Sequence, residues 1–308
     1  MKKQHVVILA PLLLYILATL LLFLNAELAY SIMFLVILSQ SMNIALGFSG
    51  LVNLGCVAFL GVGAYIFSVL AVLGLNPYYC LIVGGCISMA LSLLIGAIVL
   101  RLKGPFFAIC TLSLASAIRY LIIGTGVAGG HYGIQLYKYI GHMYNTYALI
   151  LILIFTSLIM TILTLKLSNS PFGYSLKALR EDHDVAQTLG INTFKCKLIA
   201  FAISSFFPGV VGGIMAFRQF WVTPDGAFSL IWSVEAILAL IIGGSGSVVG
   251  PIAGAIVYEI LKDFLMRYFP GFQVLIFGIL LIVITLMIPG GLMGFLKAKI
   301  RRLQKILI

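Results

Sequence analysis

A chain of 308 residues with 62% apolar residues, 9% charged residues and a mean hydropathy of +1.20 carries more apolar surface than a soluble fold can hide. Its net charge of +11 is placed by membrane topology and anionic lipid rather than by nucleic acid, because the basic residues gather in short connections. The long apolar runs also exclude a transmembrane β-barrel, whose strands alternate over about ten residues. The predicted class is all-α: a polytopic transmembrane helical bundle, one integral domain over residues 1–308, with about 8–10 spans that include broken or re-entrant helices.

Apolar segments fall at about 6–24, 28–47, 54–74, 78–100, 105–124, 147–167, 198–217, 230–243, 251–266 and 271–289. The first follows Lys2 and Lys3 and exceeds the 7 to 15 apolar residues of a cleavable signal core, so it reads as a retained span. The stretch NIALGFSGLVNLGCVAFLGVGAY, residues 43–65, sets five glycines inside membrane-grade hydrophobicity. Small residues allow helix backbones to approach closely in lipid, so Gly47, Gly50, Gly61 and Gly63 serve packing on any reading. The Gly-Phe-Ser-Gly break at 47–50 also frees backbone groups, which are tolerated at membrane depth only where they face protein or a water-lined cavity. Ser49 and Asn53 are therefore expected to line or support a path.

Segments eight and nine are short, giving either two compact crossings or a re-entrant pair closing at GGSGSVVGP, residues 243–251. Gly243, Gly244, Ser245 and Gly246 repeat the earlier break, and the two are read as paired flexible elements near one side of the membrane. Cysteines at 56, 80, 86, 110 and 196 show no CxxC spacing and read as small apolar packing residues, while the four histidines are scattered. No metal site is readable.

Residues 168–197 form the long polar connection and carry Arg180, Glu181, Asp182 and Asp184. Ser170 is placed to cap a helix begun by Pro171, and Gly190 to end one. Leu176, Leu179, Val185, Ala186 and Leu189 give a short apolar face, predicting one or two amphipathic helices outside the membrane. Helices this short are marginal alone in water and need something to pack against.

Orientation follows from Lys and Arg in the loops. With the N-terminus inside, fourteen of the nineteen basic residues fall on the cytoplasmic side, and Lys138, Arg218, Lys262 and Arg267 fall outside. Both termini are then cytoplasmic. Three ionisable residues remain within spans: Arg119, Glu235 and Glu259. Uncompensated charge there costs at least about 2.5–3.5 kcal/mol, so each needs a partner. Arg119 and Glu235 lie at matching depth, roughly 7–8 Å from the outer surface, and are expected to pair. Glu259 is expected to pair with Lys262 or to face the bundle near its outer end.

DVAQTLG, residues 184–190, resembles the EAA-xxx-G loop of ABC importer permeases. SPFGYSLKALREDHDVAQTLGINTFKCKLIAFAISS, then GGIMAF, VTPDGAFSL, SVEAILALIIGGSGSVVGPIAGA and PGGLMG, resemble the LivM type of branched-chain amino acid permease, as do RLKGPFFAICTLSLASAIR and AGGHYGI earlier in the chain. That resemblance implies a permease subunit in the bacterial inner membrane, not an enzyme, that moves branched-chain or other small amino acids. It also implies a second permease subunit of the LivH type, two cytoplasmic ATPases and an external solute-binding protein. Family members often carry a Glu three residues before the position of Arg119, where this chain has Ser116, which favours a partner from another helix.

No G-x-x-x-x-G-K-[ST] phosphate loop occurs in the chain, so no cofactor is expected here and ATP is to be bound by the partner subunits. By the same resemblance, residues 168–197 form a coupling segment docked on the ATPase, with Arg180, Glu181, Asp182 and Asp184 at the contact and Ala186 and Gly190 permitting close approach. Urea or short amides are alternative solutes within the family. A secondary transporter would explain the broken helices but not the charged loop, and an intramembrane enzyme would need a constellation of catalytic groups that the sequence lacks.

Overall fold

The computed structural model describes residues 25–102 and 104–268, together with residues 271, 275, 276, 278, 279 and 290–294. The expected first span, most of the last, and the basic residues at 2, 3, 103 and 297–305 lie outside the described residues.

Helices α1 (Ala26–Met42), α2 (Cys56–Val72), α3 (Pro77–Val99), α4 (Pro105–Thr125) and α5 (Thr146–Ser168) come first, followed by a short pair, α6 (Pro171–Glu181) and α7 (His183–Thr188). Then come α8 (Thr193–Gln219), α9 (Ile231–Gly243) and α10 (Val249–Tyr268). Six described segments are long and apolar enough to cross a membrane, among them Ala26–Phe48 and Pro224–Gly243. The helices begin at local polar signals. Asn25, Asn76 and Asn145 each accept a hydrogen bond from a backbone N–H of the first turn of α1, α3 and α5. A two-stranded antiparallel ribbon, β1 (Ile134–Gln135) with β2 (Trp221–Val222), ties together the two connections at one end of the bundle.

Helix α8 packs along α2 and α3, and α9 packs against α10 beside α1. Lipid offers no hydrophobic drive between helices, so these contacts depend on backbones coming close enough for van der Waals attraction. A methyl group added to Gly63 would collide with the carbonyl of Gly209, and one added to Gly209 would collide with Ser88. Midway along α8, Pro208 has no N–H to give to the Ser204 carbonyl one turn earlier. Ser41 of α1 donates its hydroxyl to that carbonyl instead. A helix interruption is thus satisfied by a neighbouring span.

Gly63→Ala is expected to lower the thermal stability of the purified protein by about 1–3 kcal/mol or more, because the obstacle is backbone and only separation of α2 from α8 relieves it. Gly124→Ala in α4, where nothing lies within 4 Å of the added carbon, is expected to leave stability equal or slightly higher. Thermal melts of the two variants in one detergent measure the difference.

Candidate functional site

The site grows from one face of α1. Its last turn and the residue that follows, Ser39-Gln40-Ser41-Met42-Asn43, hold four polar residues within an apolar segment and are fully buried. Ser39 Oγ donates to the Pro251 carbonyl (3.2 Å) and Gln40 Nε2 to the Val248 carbonyl (2.7 Å). Asn43 does more. Its Nδ2 donates to the Ser247 carbonyl at 2.8 Å, and its Oδ1 accepts from the Gly246 N–H at 2.9 Å. One side chain therefore serves a donor and an acceptor of the loop between α9 and α10, whose backbone has no helical partners at that point.

At Asn43 the α-helix widens into a π-helical stretch, Asn43–Phe48, before the chain runs through an irregular stretch to α2. The break expected at 47–50 exists, and the structure brings it against the break at 243–246. A Cβ on Gly47 would lie 2.7 Å from the Gly246 nitrogen, which explains why glycine faces glycine here. Gly243 abuts Gly250 and Gly244 abuts residues 290–294, while Ser245 is exposed. Ser49 and Asn53 are buried. Ser49 Oγ donates to the Ala45 carbonyl at 2.6 Å, and Asn53 Oδ1 accepts from the Gly55 N–H at 3.0 Å, so both support the break from within.

The segment after α5 arrives at this junction. Ser170 Oγ accepts from the Gly173 N–H at 3.0 Å as the cap of α6, with Pro171 in its first turn. Leu176, Leu179 and Ala186 turn inward and join the main core. From the end of α6, Arg180 sends Nη1 to the Gly47 carbonyl at 2.5 Å, with its aliphatic stem alongside Gly50, a residue at φ +72°. Lys177 bonds the Ser168 carbonyl (2.9 Å) and stands 5.6 Å from the centroid of the Phe48 ring. Two cations of the amphipathic pair thus rest on the break.

The side chains expected at an ATPase contact separate by role. Arg180 reaches inward. Asp182 caps α7, accepting from the N–H groups of Val185 (3.0 Å) and Asp184 (2.9 Å), and those bonds hold its carboxyl below the usual carboxylate range. Ala186, expected to permit approach by a partner, is 1% exposed within the chain's own core. Gly190 ends the pair at φ +81° with open space around it. Glu181, Asp184, Val185 (55% exposed) and Leu189 (72% exposed) are left facing outward. Between this pair, residues 49–52 at and after the break, and the start of α4 lies a cavity of about 730 Å³, with His183 and Lys197 on its wall.

The expected Arg119–Glu235 pair does not form. Arg119 bonds Asp225, in the short helical turn Pro224–Ala227 that follows β2, and Glu235 bonds Lys262 at 2.6 Å. Matching depth was a sound criterion but did not fix rotation about the helix axis. Glu235 faces α10, where Lys262 stands at a similar height, while Arg119 turns to Asp225 in the connection before α9. Glu259 lies 3.8 Å from Lys262, as one of its two expected arrangements required.

Sequence reasoning also passed over Asn43, Gln40 and Lys177. The signal was present, since polar residues at 39, 40 and 43 share a helix face with Gly47. Among the described residues no group of three or more His, Cys, Asp or Glu side chains is arranged to hold a metal ion.

Membrane-length helices, two broken elements joined by one buried amide and an amphipathic pair seated on the joint define a polytopic transport permease. Residues 7–285 match the family described as "Branched-chain amino acid transport system / permease component". The chain is 30% identical over 306 residues to the high-affinity branched-chain amino acid transport system permease protein LivM of Salmonella typhimurium, covering 90% of this chain and 72% of the relative. The LivM protein of Escherichia coli K12 matches to the same extent. The LivH permease of E. coli K12 is 29% identical over 161 residues, about half of each chain. No solved structure matches. The chain belongs to the family of permease components of branched-chain amino acid transport systems.

Proposed function

We propose that this chain is one translocating subunit of an ATP-driven importer of branched-chain or other small amino acids. It works with a second permease subunit of the LivH type, two cytoplasmic ATPases that bind the ATP, and an external solute-binding protein. Both termini face the cytoplasm of a bacterial cell, an orientation supported by the crowding of Lys and Arg into one set of loops. The observation that carries the reading is the bond from Arg180 to the Gly47 carbonyl, which joins the amphipathic pair to the interrupted end of α1.

Val185 on α7 and Leu189 just past its end offer an apolar patch to the ATPase, with Glu181 and Asp184 near by. Movement of the ATPases displaces α6 and α7. Arg180 and Lys177 carry that displacement to Gly47 and Phe48, and Asn43 carries it across to Gly246 and Ser247. A π-helical turn next to an irregular stretch yields before a regular helix does, because fewer ladder bonds hold it. Domain motion at the inner face thus becomes a change at the two breaks, with α5 and α8 following at the ends of the pair.

Reconstitution tests the reading. Proteoliposomes holding both permeases and both ATPases, supplied with binding protein, are expected to take up leucine only with hydrolysable ATP inside the reach of the ATPases. Uptake by this chain alone under an ion gradient would establish a secondary transporter instead.

A further inference from the structure

At the end of the bundle opposite Arg180, a cavity of about 350 Å³ opens between α1, α8, α9 and α10. That volume lies within the range of small-ligand sites. Phe34, Met215 and Trp232 form its apolar wall, with the Phe34 and Trp232 rings 5.2 Å apart. Arg218, Lys262 and Glu259 bring charge to the same space.

The charges are unevenly matched. Lys262 stands 2.6 Å from Glu235 and 3.8 Å from Glu259, so one ammonium serves two carboxylates and Glu259 holds the weaker share. Glu259 is only 7% exposed, and a buried carboxylate stays ionised only beside a cation, so an incoming ammonium would complete its pairing. Across the cavity Arg218 bonds Glu27 and lies over the Tyr30 ring, 3.8 Å from its centroid. A guanidinium has five N–H donors, so one carboxylate does not exhaust it.

We propose that this cavity is a transit site for a free amino acid. The α-ammonium sits at Glu259, the α-carboxylate at Arg218, and the aliphatic side chain against Phe34, Met215 and Trp232. A zwitterion suits the site because it adds no net charge while supplying the cation that Glu259 is short of. The inference rests on the importer reading, and it adds that this permease recognises both ends of the solute instead of offering only a passage.

The test uses the complete transporter in nanodiscs without its binding protein, carrying Ser31→Cys on the cavity wall. Labelling by a membrane-impermeant maleimide above that of the parent complex is followed. L-Leucine is expected to slow labelling, and isoamylamine or 4-methylpentanoate, each lacking one charged end, to need about tenfold higher concentration for the same protection. Adding Glu259→Gln is expected to raise the half-protecting leucine concentration about tenfold. Equal protection by isoamylamine would make this a cation site and overturn the proposal. Absence of protection in a complex that imports leucine in proteoliposomes overturns the proposal and leaves the importer reading intact. A complex that imports none of the branched-chain or other small amino acids overturns both.

Discussion

Replacing Arg180 by Ala is expected to cut ATP-driven uptake about tenfold while ATP hydrolysis by the assembled complex stays within about twofold. The charge-assisted bond to the Gly47 carbonyl is the shortest link between the amphipathic pair and the break, at 2.5 Å. Such bonds contribute about 1.5–3 kcal/mol, and the exposure of the Arg180 residue as a whole argues for the lower figure. That still shifts a two-state equilibrium about tenfold. Because the side chain points into the permease, its loss is expected to disconnect the pair from the break without removing the outward face proposed to meet the ATPase. Glu181→Ala provides the contrast, since Glu181 faces outward and its loss should weaken hydrolysis and uptake together. Measuring both activities on the same proteoliposomes separates the cases. A proportional fall of both in the Arg180 variant would show that Arg180 serves assembly and not transmission.

Asn43→Leu is expected to cost about 2–6 kcal/mol and to abolish uptake, the larger of the two effects. Leucine matches the size of Asn but leaves the Gly246 N–H and the Ser247 carbonyl without the partners that now lie 2.9 and 2.8 Å away. Each polar group stranded away from water costs about 1–3 kcal/mol. Asn43→Asp keeps the acceptor for Gly246 and loses the donor to Ser247, so it should fall between wild type and the leucine variant in thermal midpoint. Fluorescence-detected size exclusion after heating ranks the three proteins. A leucine variant as stable as wild type would show that water reaches the joint and replaces the amide.

Much of the architecture was legible beforehand because the bilayer imposes its own length scale. A span needs about 20 apolar residues, and the expected segments at 78–100, 105–124 and 147–167 agree with α3, α4 and α5 to within a residue at each end. Segments eight and nine resolve into an antiparallel pair of unequal length, 13 residues in α9 and 20 in α10, with a helical turn at Pro224–Ala227 leading into the shorter one. Caps were legible for a local reason, since Ser170 meets a donor only three residues away.

The sequence by itself determined that this is a membrane bundle, where the spans and breaks among the described residues fall, and that a polar amphipathic pair follows α5. Those properties depend on composition and on residues within one or two turns of each other. Tertiary structure alone decided that Arg180 turns inward to a residue 133 positions away, that Asn43 reaches Gly246, 203 positions away, and that Arg119 and Glu235 part company. Such partnerships depend on the rotation of each helix about its axis and on which neighbour it packs against. Hydrophobicity fixes the depth of a residue in the membrane but leaves that angle open.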